Sequence, residues 1–155
     1  MDEEAKPVRD SSIDNQTAIV FPNDLNTYGT LFGGRVLELG DWLCGIVAKR
    51  HTRKICVTLG LDSVRFWAAA TSGDILVLKA AVNRTWNSSM EIGLKVLAED
   101  FRTREQRHIF SAYFTFVALD ENRKPTKIPA ILPETEDEKR RYEEAETRRQ
   151  KRLKS

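Results

Sequence analysis

The chain has 155 residues, 41% of them hydrophobic and 31% charged, with a net charge of +2. That length suits one globular domain with a real core, and a charge so near zero excludes a general affinity for nucleic acid or a membrane surface. Cys44 and Cys56 each sit inside an apolar stretch, and only His51 and His108 accompany them, so reduced packing thiols are expected and a disulfide framework or metal site is not.

Residues 1–15 are polar, contain no apolar segment of an export signal, and read as a disordered tail. No apolar run approaches ~20 residues, so no membrane span is expected and a cytoplasmic location is. The globular domain is placed at 16–133, and 134–155 is a charged helix or tail. Residues 17–21 predict a first strand, stopped by Pro22. The stretch from Asn26 to Gly34 packs three glycines, Gly29, Gly33 and Gly34, into six positions before an apolar segment of helical length, which describes a tight turn feeding a buried helix over about 34–50. At roughly 100° per residue, Val36, Leu39, Leu43, Ile46 and Val47 share one side of that helix, and Arg35, Glu38, Trp42 and Lys49 the other. Asp41 falls at the margin of the apolar arc, where a carboxylate is partly desolvated. Lys49, Arg50 and His51 close the helix as its dipole prefers.

Strands follow at 55–66, 75–82, 90–97 and 109–119, with turns at 71–74 and 120–123. One long helix and an antiparallel meander predict an α+β fold, the sheet wrapped around the helix. In the last strand both alternating sets are apolar, so the sheet face away from the helix also needs a cover, and a second copy of the chain is the economical one. After a proline-bounded connector at 128–133, Thr135 to Glu138 forms a capping box that opens a helix. That helix is polar all round, with i, i+4 pairs Glu136 with Arg140, Asp137 with Arg141 and Glu144 with Arg148, and reads as solvated. At its end Arg148, Arg149, Lys151, Arg152 and Lys154 carry no intervening acid, which suits a frayed tail or a phosphate contact.

The glycine turn lacks the Gly-Lys-Ser/Thr of a P-loop and the spacing of a dinucleotide fingerprint, so it is not a nucleotide cradle of either kind. No Gly-x-Ser-x-Gly elbow and no His-Glu-x-x-His are present, and neither histidine has the context of a nucleophilic triad. What stands out is that an amide (Asn26), the backbone donors of a helix start (Gly33, Gly34) and a carboxylate (Asp41) lie within sixteen residues. Taken singly, Asn26 also suits a loop cap and Asp41 a solvated helix acid.

Asn26-x-x-Gly29-x-x-Phe32-Gly33-Gly34 with Asp41, then Val57-Thr58, Asp62 to Phe66, Gly73 to Leu76, Asn87 to Glu91 and Phe114 to Ala118, in this order and spacing, resemble the hotdog-fold acyl-coenzyme A thioesterases, and among them the cytosolic and brown-fat type. The resemblance covers nearly the whole chain from Thr17. It implies a hotdog fold, a double-hotdog dimer, often assembled as a trimer of dimers, and active sites at the dimer interface with Asn26 of one subunit facing Asp41 of the other. It implies hydrolysis of acyl-CoA to a free acid and coenzyme A without a cofactor. Asp41 would act as base or nucleophile, with the Gly34 N–H and the Asn26 carboxamide polarising the thioester. Gly33 adjoins that site, and Thr58 either contacts the reacting end or faces the core. For the coenzyme, Arg84, Asn87, Ser88, Ser89, Arg148 and Arg149 are the candidates. Trp86 departs from the glycine that many bacterial relatives carry and implies a reshaped substrate channel. A hotdog hydratase would need a histidine where Gly29 stands, so dehydration is disfavoured; a non-catalytic acyl-CoA sensor is the alternative.

Overall fold

A computed structural model describes residues 3–155. Met1 and Asp2, the first positions of the expected tail, lie outside the described residues. The rest of that segment is not a free tail: β1 (Lys6–Pro7) pairs in parallel with β7 (Ile131–Leu132), Val8 and Ser11 are buried, and Lys6 Nζ donates to His51 O at 3.0 Å. A single valine among polar neighbours is enough to anchor it, because Val8 joins the main core. The first long strand, β2 (Ile13–Ile19), accordingly begins four residues before the expected position.

Helix α1 (Gly33–Thr52) buries Val36, Gly40, Leu43, Cys44, Val47, Ala48 and His51, a recurrence of three and four. Ile46, expected with the apolar set, is instead exposed beside Trp42. The small residues explain this rotation. A methyl group at Gly40 would lie 2.4 Å from Leu94 Cδ2, so the helix seats its Gly40, Cys44 and Ala48 side against the sheet and turns its bulkier Trp42 and Ile46 outward. His51, expected as a cation for the helix dipole, is a buried ring whose Nε2 donates to Pro129 O at 2.8 Å; burial lowers its pKa and favours the neutral form.

The sheet runs β2, β4 (Ile75–Thr85), β5 (Ser89–Glu99), β6 (Gln106–Leu119), β3 (Ile55–Phe66), all antiparallel, which is the expected α+β arrangement around a central helix. Phe110, Phe114 and Phe116 of β6 fill the α1 side. The opposite side is covered differently from expectation. Helix α2 (Glu136–Lys154), opened by the Thr135–Glu138 capping box, lies there and buries Ala145 completely. Its arginines make this docking possible. Arg148 forms a two-pronged ion pair with the wholly buried Glu91 at 2.9 and 2.7 Å and lies 3.6 Å over the Tyr113 ring, while Arg152 reaches Asp62 at 2.6 Å. The chain thus covers this side with its own C-terminal helix, and α2 is docked, not solvated all round. Arg140 pairs with Asp137 and Glu144, in place of the expected Glu136.

Among the described residues no helix is long and apolar enough to cross a membrane.

Candidate active site

The turn before α1 is built by Asn26. Its Oδ1 accepts from the N–H groups of Tyr28 (2.9 Å) and Thr30 (3.2 Å), and its Nδ2 donates to Thr30 Oγ1 at 2.9 Å. Gly29 sits at φ +80°, which a side-chain-bearing residue adopts only with strain. One Nδ2 proton of Asn26 is left over for another acceptor. The turn delivers the chain to α1 with Phe32 as N-cap and no side-chain cap, and among the described residues the N–H groups of Gly33 and Gly34 have no partner. Such free amides, at the positive end of the helix dipole, suit an oxygen that gains negative charge.

Asp41 stands two turns further on, half-buried, and its Oδ1 accepts from Thr58 Oγ1 at 2.5 Å. Thr58 reaches it because of β3's register. Thr58 pairs with Phe116 and Gly60 with Thr115, so Leu59 is the extra residue of a bulge directly after Thr58. Thr58 is exposed and its hydroxyl is bonded to Asp41, so the core-facing reading of this threonine does not hold. Asp41 and Thr58 open into a groove of about 480 Å³ between α1 and β3, walled by Ile46, Val57 and Phe116. Gly45, Cys56 and Lys49, which sequence reasoning did not single out, also line it. The available signal was the four-residue recurrence of Asp41, Gly45 and Lys49 along one helix.

Asn26 and Gly34 of the same chain do not line that groove. Seven residues of α-helix separate Gly34 from Asp41, about 10 Å along the axis. That separation is more than three times the length of a hydrogen bond.

The coenzyme candidates lie elsewhere, around the start of β5 and α2. Arg84 Nη1 donates to Tyr142 O at 3.2 Å, its Nε lies 3.5 Å from Glu146, and the guanidinium stacks on Tyr142. Trp86 Nε1 also donates to Glu146. Arg149 lies 4.5 Å over the Trp86 ring, with Nη1 3.5 Å from Ser89 Oγ. Asn87 is exposed, and Ser88 is half-buried with its carbonyl accepting from Ala118 N. Arg148, expected among the phosphate ligands, is committed to Glu91. Burial would lower its pKa, but the Glu91 carboxylate more than offsets that and raises it. Glu91 was itself missed as a structural residue. It is held by Asn83 Nδ2 at 2.9 Å as well as by Arg148, whereas the sequence showed it only as one member of the Asn87 to Glu91 stretch.

Cys44 and Cys56 are free thiols, both with pKa raised by burial; Thr52 Oγ1 lies 3.2 Å from Cys56 Sγ.

Residues 28–104 match the family model described as Thioesterase superfamily. The uncharacterized acyl-CoA thioester hydrolase YkhA of Bacillus subtilis (strain 168) is 41% identical over 79% of this chain and 72% of its own length. A crystal structure of an apo-hexameric acyl-CoA thioesterase superposes with a TM-score of 0.94 at 39% identity, covering 98% of this chain and 97% of the other. An acyl-CoA hydrolase from Staphylococcus aureus, solved with butyryl coenzyme A, coenzyme A and coenzyme A disulfide, gives 0.90 at 34% identity over 96% of this chain and 90% of its own.

Proposed function

The chain belongs to the thioesterase superfamily, and on that premise we propose a catalytic site shared between two copies, with Asp41 from one and the α1 start of the other closing on a single thioester. The protein is an acyl-CoA thioester hydrolase that binds acyl-CoA and self-associates. The observation that carries the shared site is the roughly 10 Å of helix between Gly34 and Asp41. A partner's helix start removes that separation.

The surface around Asp41 favours such a pairing. Strand β3 is a sheet edge with free backbone groups, and Ile55, Val57, Leu59, Leu61 and Phe66 along it are exposed together with Trp42 and Ile46 of α1. Contiguous apolar area on an unpaired edge marks an interface between chains. Dimers formed there, and three of them to a hexamer, are the assembly we propose.

In the shared site the substrate carbonyl oxygen sits on the Gly34 N–H, with the free Nδ2 proton of Asn26 beside it and Gly33 lining the approach. Asp41, fixed by Thr58, takes a proton from water as the water oxygen bonds to the carbonyl carbon, or attacks that carbon itself. The oxyanion collapses, the C–S bond breaks, and the coenzyme thiolate leaves; after general-base attack it takes the proton that Asp41 accepted, and after direct attack water opens the mixed anhydride left on Asp41, releasing the acid, restoring the carboxyl group and supplying the thiolate's proton. Each preorganised oxyanion donor is worth ~3 to 4 kcal/mol. No cofactor enters this scheme. The coenzyme phosphates are assigned to Arg149 with Asn87, Ser88 and Ser89, and Arg84 supports them from the α2 contact. A cytoplasmic location belongs to the same proposal, supported by the two free thiols.

Asp41→Asn tests the reading. It keeps the size of the side chain and an acceptor for Thr58, and acyl-CoA turnover should fall by at least roughly 100-fold while the fold and coenzyme A binding persist. Turnover at the parent rate would reject Asp41.

A further inference from the structure

Building on Asp41 as the group at the reacting carbonyl, we infer that Lys49 makes the far end of the groove a receptor for a second carboxylate, so that the enzyme favours thioesters of medium-length ω-carboxyl acids. Asp41, Gly45 and Lys49 follow one another at four-residue steps on one side of α1, and all three line the groove. A chain leaving the carbonyl at Asp41 therefore runs over Gly45 toward the Lys49 ammonium. The passage is shaped for methylenes. Ile46, Val57 and Phe116 wall it, and a side chain at Gly45 would come into contact with Phe116, at 3.8 Å for its first carbon, so the glycine preserves the width.

The end of the passage is not apolar. Among the described residues no carboxylate pairs with Lys49. Its charge is felt inside the groove at Cys56 Sγ: burial raises that thiol's pKa, and the Thr52 hydrogen bond and the Lys49 charge act against the rise. A terminal methyl group placed against this ammonium gains nothing and removes part of its hydration, whereas a carboxylate forms a charge-assisted hydrogen bond with it at the exposed end of the groove.

The spacing sets the chain length. Eight residues of helix place Lys49 about 12 Å beyond Asp41 along the axis. Contacts at the two ends take up about 3 Å each. An extended chain advances about 1.3 Å per carbon for a ~1.5 Å bond. With the reach of the flexible lysine stem, acyl groups of about five to eight carbons fit.

The test compares kcat/KM for adipoyl-CoA and hexanoyl-CoA, which have equal carbon counts and differ by a carboxylate for a methyl, in the parent enzyme, Lys49→Met and Lys49→Arg. The parent should prefer adipoyl-CoA. The adipoyl to hexanoyl ratio should fall roughly 10- to 100-fold in Lys49→Met, as for loss of a charged hydrogen bond, and recover in Lys49→Arg. A ratio that Lys49→Met leaves unmoved, or a parent enzyme that prefers hexanoyl-CoA, overturns the inference. Failure of the underlying Asp41 assignment is read separately, as an Asp41→Asn enzyme that still turns over both substrates.

Discussion

Thr58 Oγ1 donates to Asp41 Oδ1 at 2.5 Å, tying the edge strand β3 to the third turn of α1 across the groove. A hydrogen bond to a charged group is worth ~1.5 to 3 kcal/mol. Thr58→Val keeps the shape and removes the donor, so kcat/KM for acyl-CoA should fall about 10- to 100-fold, and Thr58→Ser should keep most of it. Thr58 is exposed, so thermal unfolding of both variants should stay near that of the parent. A Thr58→Val enzyme with lowered stability and intact turnover would make the bond structural only.

Arg148 and Arg149 are neighbours in sequence with opposite expected phenotypes. Arg148→Ala strands the buried Glu91 carboxylate, and breaking a buried pair costs about 3 to 5 kcal/mol. Denaturant unfolding should report that loss, and Arg148→Met with Glu91→Met should recover much of it. Arg149→Ala should leave stability nearly unchanged and raise the KM for acyl-CoA more than it lowers kcat, because contacts at the nucleotide end contribute uniform binding. A short pantetheine thioester lacking the phosphates should not register the change. Equal losses on both substrates would return Arg149 to the helix-docking contacts.

His51 couples stability to mild acid. Burial lowers its pKa in the fold, with the bond to Pro129 O opposing. The unfolded chain then binds the proton more readily than the folded one, so the stability contributed by neutral His51 is complete above the ordinary value of about 6.5 and is lost as pH falls from there toward the lowered value. Denaturant unfolding between about pH 7.5 and pH 5 should show this decline, and His51→Gln should flatten it. A slope identical in the variant would assign the decline to other groups.

The central helix, four of the strands and the α+β arrangement were legible because long periodic segments carry their own record of burial. Asp41 and the glycine turn were legible as residue types around a helix start, and Thr58 as a residue of the strand expected beside that helix. The side of α1 that meets the sheet was legible in Val36, Leu43 and Val47 but not in its rotation toward Gly40, Cys44 and Ala48, since small residues give a weak signal and act through close approach. The docking of α2 was hidden for a related reason: a helix of arginines and acids looks solvated until a buried acid such as Glu91 is known to await it. The role of Val8 was hidden by its polar neighbours. The placing of Asp41 and Lys49 along one groove needed β3 and β6 in position, because the wall facing them comes from Val57 and Phe116.

The sharing of one site between two chains is tested by complementation. Asn26→Asp retains the Oδ1 that accepts from Tyr28 and Thr30 and removes the Nδ2 donor, so the turn persists while the contact to the thioester is lost. Asp41→Asn removes the base or nucleophile. Each variant alone should be nearly inactive on acyl-CoA. When the two are unfolded together, refolded as an equimolar mixture and assayed, half of the dimers should be mixed, and each of those holds one intact site and one lacking both residues, so activity should return to roughly a quarter of the parent value. No recovery in a mixture shown by differently tagged subunits to contain mixed dimers would contradict the shared site and place all the chemistry within one chain.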